Sequence, residues 1–143
     1  MKIFFAFPIT GDRSLLDNAK KIVELVESLG HEVTTKIFLD REKMILQEEN
    51  LAPRDKYDLD IKWLLDSDIL IGEISTPSYG MGFEVGYLLG ATDKKSILLY
   101  QKTHHNNITP MATGNTHPNC KVFQYADLAQ LEEFLKNELG AAR

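Results

Sequence analysis

The sequence predicts an α/β protein, a doubly wound, five-stranded parallel sheet of flavodoxin-like or Rossmann-like type, with residues 1–143 forming one domain. Two observations carry this. Short β-favouring apolar runs alternate along the chain with segments of helical periodicity, the pattern of right-handed βαβ units. One of those runs, Asp68 to Ile74, is apolar almost without interruption, as a central parallel strand covered on both faces must be. A chain of 143 residues can bury about two thirds of its unfolded surface, and neither a repeat nor a linker divides it.

The elements follow in order. Lys2 to Phe7 reads as the first strand, stopped by Pro8 and the turn residues Thr10, Gly11 and Asp12. From Arg13 the apolar positions Leu15, Leu16, Ala19, Ile22, Val23, Val26 and Leu29 recur at helical spacing, and Gly30 closes that helix. His31 to Phe38 reads as a second strand. Asp40 to Pro53 is polar, irregular or weakly helical, and is expected to loop near a pocket. Asp55 to Asp66 forms a second amphipathic helix, and Asp68 to Ile74 the middle strand. A glycine-punctuated helix follows through Val85, Leu88 and Leu89; Ser96 to Tyr100 is the fourth strand and 102–119 a long polar loop. Lys121 to Tyr125 is the fifth strand, and Asp127 caps a last helix whose apolar face is Leu128, Leu131, Phe134 and Leu135.

Composition narrows the partners. With 43% hydrophobic and 26% charged residues, collagen, low-complexity disorder and coiled coil are excluded. Sixteen Lys and Arg against twenty-one Asp and Glu leave a net charge of −5, which argues against a nucleic-acid polymer or a membrane surface and for a small molecule. The single cysteine, Cys120, forbids an intrachain disulfide and predicts a reducing, cytoplasmic setting. The apolar run 2–9 is far shorter than the roughly 20 residues that cross a bilayer. His104, His105 and His117 lack the spacing of a zinc site, so neither a metal nor a cofactor is expected.

In such a sheet ligands bind outside the carboxyl ends of the strands, so the segments after Phe7 and Ile74 are examined first. The second reads Ser75-Thr76-Pro77-Ser78-Tyr79-Gly80-Met81-Gly82-Phe83-Glu84-Val85-Gly86. Gly80 and Gly82 would let a ligand approach the backbone, and amides opening the helix would receive an anion; a tight turn with close helix packing explains these glycines equally well. The spacing is not the dinucleotide fingerprint, and Tyr87 stands where a phosphate-loop lysine would be. Glu84, near the start of that helix, is expected to be held ionised by the helix dipole; read alone, it is more simply an exposed acid complementing that dipole. Asp60 shares a helical stripe with Tyr57 and Leu64, so partial burial should raise its pKa and suit it to donate a proton. Two carboxyl groups in unlike surroundings can divide the roles of nucleophile and acid at a glycosidic carbon. Trp63 and Tyr79 could stack on a base, though Trp63 at helical spacing is more simply core.

Asp60-Ile61-Lys62-Trp63-Leu64, then Asp68-Ile69-Leu70-Ile71-Gly72-Glu73-Ile74, then Pro77 through Gly86 together resemble the nucleoside 2-deoxyribosyltransferase superfamily, and within it the 2′-deoxynucleoside 5′-monophosphate N-hydrolases. The resemblance implies that Glu84 attacks the anomeric carbon, that Asp60 protonates the departing base, and that the route is covalent and retaining. Ser78 stands where transferases acting on free nucleosides carry Asp, which implies a 5′-phosphate instead. The family's first loop lines sugar and phosphate, here Ile9, Thr10, Gly11, Asp12 and Arg13. Thr10 replaces an Arg of the hydrolases, so Arg13 or Lys36 is expected to meet the phosphate, Lys36 falling where they tend to have His. Phe4 replaces a Tyr that orients the glutamate, which leaves deoxyribose against ribose open.

By the same resemblance Thr109, ahead of Pro110 and Met111, reaches the phosphate of a neighbouring subunit, implying a homodimer. The expected function is hydrolysis of (2′-deoxy)nucleoside 5′-monophosphates to free base and (deoxy)ribose 5-phosphate. Base exchange between deoxynucleosides, or a catalytically silent nucleotide-binding module, are the alternatives.

Overall fold

The computed structural model describes residues 1–9 and 13–140. Among them the sheet is five-stranded, ordered β2-β1-β3-β4-β5, with every pairing parallel. The strands are β1 (Lys2–Ala6), β2 (Glu32–Val33), β3 (Ile69–Glu73), β4 (Lys95–Gln101) and β5 (Cys120–Tyr125). The helices are α1 (Leu16–Ser28), α2 (Arg41–Glu48), α3 (Pro53–Asp66), α4 (Tyr79–Ala91), α5 (Pro110–Thr113) and α6 (Leu128–Leu139). The doubly wound parallel sheet is as expected. Strand order reverses between β1 and β3, the switch point at which such sheets open a crevice.

Alternation along the strands sorts two cores. Ile3, Phe5, Ile69, Ile71, Ile97 and Leu99 face α1 and α6, whereas Phe4, Ala6, Leu70 and Leu98 face Leu64 of α3 and Met81, Val85 and Leu88 of α4. Each fully buried Leu or Ile is worth about 1.5–3 kcal/mol relative to exposure, so both faces hold their helices firmly. β3 is buried at all five positions, which explains its near-continuous apolar reading. α1 ends where Gly30 takes φ +86°, a left-handed conformation that turns the chain into β2.

The second strand is shorter than expected. Pairing stops after Val33 because the Thr35 hydroxyl both accepts from the Phe5 amide at 2.9 Å and donates to the Phe5 carbonyl at 2.8 Å. With those groups occupied by a side chain, the backbone turns away into a 3₁₀ turn over Lys36–Leu39. Asp40 then caps α2 by accepting from the Lys43 amide, giving a two-turn helix with no buried residue where the sequence reads as irregular or weakly helical. The polar stretch 102–119 likewise holds a 3₁₀ turn, Lys102–Asn107, and the single-turn α5. Among the described residues no helix is long and apolar enough to cross a membrane.

Candidate active site

The crevice at the switch point opens a cavity of about 800 Å³. Phe7 and Ile9 line it from beyond β1, Asp60 from α3, Ser78 from the turn after β3, Gly80 and Glu84 from α4, and Thr109 from the rim above α5. Residues as far apart in the chain as Phe7 and Thr109 thus meet at one wall, and Asp60 and Glu84, from different helices, are close enough to repel each other electrostatically.

Glu84 is mostly buried, and among the described residues no side chain hydrogen-bonds to its carboxyl. Burial first, and the charge of Asp60 second, push its pKa up to about 8. This reverses the expectation of a dipole-held anion. Ser78 caps α4, its hydroxyl accepting from the Met81 amide at 3.3 Å, so Glu84 lies in the second helical turn, beyond the dipole's short reach. Phe4 closes the underside: its ring and the Glu84 side chain border a second, nearly filled cavity with Phe5, Ala6 and Phe38. An apolar ring there removes water and returns no hydrogen bond.

Asp60 sits half-buried as its helical stripe predicts. Burial raises its pKa to about 6, Glu48 adds to the rise, and Lys56 opposes it. Asp60 is therefore the stronger acid of the pair. Two repelling carboxyls lose their protons in steps that belong to the pair, so near neutral pH the pair carries one proton, held mainly by Glu84.

Several expected residues lie elsewhere. Thr10 and Gly11 fall outside the described residues. Arg13 donates to the carbonyls of Ile9 at 3.0 Å and Phe38 at 3.1 Å and covers the Phe7 ring at 5.5 Å, so it braces the cavity wall without lining it. Lys36 is exposed and pairs with Glu27 at 2.6 Å. Neither joins the wall that Asp60 and Glu84 share. Gly82 and Met111 line a separate, largely apolar cavity of about 310 Å³, which shares only Pro77, Ser78, Met81 and Thr109 with the first. Trp63 packs edge-on against Phe38 at 5.4 Å, as core.

Tyr79, a base-stacking candidate by sequence, also lines the cavity, together with residues not singled out by sequence: Phe7, Glu48, Lys56, Pro77 and Met81. Lys56 had a signal, one helical turn before Asp60 on the same face. Glu48 lies in the 40–53 stretch expected near a pocket, but nothing local singles it out there, because its place depends on how α2 packs. Among the described residues no group of three or more His, Cys, Asp or Glu side chains could hold a metal.

Comparisons with known proteins place the chain in a family. A protein of Thermofilum pendens named 2′-deoxynucleoside 5′-phosphate N-hydrolase 1 is 34% identical over 139 residues, covering 97% of this chain and 95% of that one. The 5-hydroxymethyl-dUMP N-hydrolase of Esox lucius is 29% identical over 144 residues, covering 95% and 97%. Among solved structures, the CMP N-glycosidase BcmB of Clostridium botulinum superposes with a TM-score of 0.68 at 19% identity, covering 96% of this chain and 99% of that one, and shows the shared fold. The family model described as nucleoside 2-deoxyribosyltransferase matches residues 3–131, nearly the whole of the sheet and all of the acid-bearing wall, so this chain belongs to that family.

Proposed function

We propose that the protein is an N-glycosidase that hydrolyses (2′-deoxy)nucleoside 5′-monophosphates to free base and (deoxy)ribose 5-phosphate. One observation carries the reading: two carboxyl groups of unlike acidity, electrostatically coupled, on the wall of a cavity that can hold a nucleotide. The names of the relatives support the substrate class. Ser78 contributes a neutral hydroxyl, and the amides of Tyr79 and Gly80, the first two residues of α4, have no acceptor within the helix and suit a phosphate oxygen. Thr109 adds a second hydroxyl at the rim.

In the reaction a Glu84 carboxylate oxygen bonds to C1′ while the C1′–N bond breaks, its electron pair passing to the base and a proton from Asp60 to the base nitrogen. Positive charge developing on the sugar favours the ionised form of the nearer carboxyl, so substrate draws the pair's one proton from Glu84 to Asp60. Water then bonds to C1′, releasing Glu84 and returning a proton to Asp60. Two inversions retain configuration.

The functional unit is a homodimer in this reading, and its setting the cytoplasm. Tyr79, Phe83 and Met111 are strongly exposed apolar side chains beside the cavity, and Thr109 lies on an exposed rim from which it can serve an adjoining copy. A lone free thiol suits a reducing compartment.

Incubation with dNMPs and NMPs, followed by chromatography of released base, tests the activity. Glu84→Gln is expected to lower kcat by about 10³-fold or more. Wild-type turnover in that variant rejects the assignment, and base exchange without net hydrolysis makes the enzyme a transferase.

A further inference from the structure

The cavity wall is chemically two-sided. Pro77, Ser78, Met81 and Thr109 form the part shared with the neighbouring cavity, and this is the hydroxyl and amide side suited to phosphate. Glu48, Lys56 and Asp60 belong to no part of that shared wall. They come from the end of α2 and from the first turn and the middle of α3, and Lys56 is the one cationic side chain on the wall among the described residues.

Lys56 Nζ and Glu48 Oε2 stand 3.6 Å apart, their side chains 40% and 21% exposed. That separation exceeds a direct hydrogen bond, so each group retains capacity for a third party. The ammonium only donates and the ionised carboxylate only accepts. Lys56 is one helical turn from Asp60, so the two side chains leave α3 on the same face. A base taking its proton from Asp60 must rest against that carboxyl, and its far edge then comes within reach of a four-carbon side chain one turn away.

We propose that Glu48 and Lys56 form a base-reading pair that distinguishes amino bases from oxo bases; the inference rests on the N-glycosidase reading. Cytosine presents an acceptor at N3 beside a donor at its amino group. Uracil, on the same skeleton, presents a donor at N3 beside an acceptor at its carbonyl. The two orders are opposite. A donor and an acceptor held in fixed order match one base and oppose like groups in the other, and a partly buried polar site rejects such a mismatch strongly. Adenine and guanine differ in the same sense.

The test compares kcat/KM for dCMP and dUMP in wild type, Glu48→Gln and Lys56→Met, with inhibition by 2-deoxyribose 5-phosphate, which has the sugar and phosphate but no base. Wild type is expected to favour one nucleotide, and each variant to bring the ratio about tenfold closer to unity, the scale of a lost charged hydrogen bond. The inhibition constant should stay within about twofold, because the base-free ligand does not touch the pair.

An unchanged ratio overturns the proposal. A uniform loss with weakened 2-deoxyribose 5-phosphate binding also overturns it, since Lys56 would then be a phosphate contact. A uniform loss with only a shifted pH profile does the same, leaving the pair as a positioning device for Asp60. Thermal melts establish that both variants fold, and Lys56→Arg, which keeps donor and charge, should retain most of the preference. If wild type releases no base, calorimetric Kd values for the two nucleotides decide separately: a ratio that collapses in the variants supports the pair although the hydrolase reading has failed, and one that does not overturns both.

Discussion

The behaviour of Glu84 turns on what surrounds one carboxyl group. Phe4 and the α3–α4 packing strip water from it, Asp60 repels its charge, and no described side chain compensates, so its pKa rises to about 8. An unfolded glutamate titrates near its ordinary value of 4.5. Below that pH both states are protonated and burial costs nothing in charge; as pH rises towards 8 the folded state must hold a proton the unfolded chain has released, and stability is lost. Glu84→Gln should therefore leave Tm nearly unchanged at pH 4 and raise it by roughly 5 °C or more at pH 9, measured by calorimetry. Asp60→Asn removes the repulsion, so the Glu84 pKa should fall, as read from carbon-13 shifts of the carboxyl. The bell-shaped rate profile expected of the coupled pair, with limbs near 6 and 8, should become a single limb rising with pH, at about 10²–10⁴-fold lower kcat.

At the scale of elements, the site depends on short pieces held by specific contacts. α5 is one turn long, capped by the Thr109 hydroxyl accepting from the Met111 amide at 3.3 Å, and closed by the Gly114 amide donating to the Pro110 carbonyl at 2.8 Å. A Cβ at Gly114 would sit 2.9 Å from that carbonyl oxygen, which is backbone and cannot swing aside. Gly114→Ala should shift the Thr109 rim and raise KM for a nucleotide by up to roughly tenfold, with little change in Tm because none of α5 is buried. α3 is anchored differently: Leu64 is its one fully buried side chain, and the same helix carries Asp60 and Lys56 to the cavity. β1, β3, β4, α1 and α6 were legible in sequence because each buries a continuous run or stripe and so marks it with apolar residues at a regular interval. The short extent of β2, and the helices α2 and α5, were not. β2 is cut short by a side-chain hydrogen bond from Thr35, and the two small helices bury nothing, so no periodicity marks them.

At the scale of the whole molecule, the proposed dimer makes a prediction of its own. In a mixture of Glu84→Gln with Thr109→Val chains, a mixed dimer places an intact Glu84 opposite a partner's intact Thr109. If Thr109 acts across subunits, mixing two inactive samples should restore activity; if it acts within its own chain, nothing is recovered, and light scattering reports whether dimers form. The sequence by itself determined the parallel sheet and its central strand, and it singled out the two acids as candidates, since apolar period and residue chemistry are local properties and the combined pattern from Asp60 to Gly86 is distinctive. Only the tertiary structure decided which carboxyl is the weaker acid, because desolvation and repulsion come from residues far apart in the chain. The same holds for the cations. Arg13 and Lys36 were plausible phosphate partners as residue types, yet packing directs one to backbone carbonyls and the other to Glu27, while Lys56 is brought to the cavity on α3, which packs against α4, and meets Glu48 of α2 there, an arrangement that no local stretch of sequence encodes.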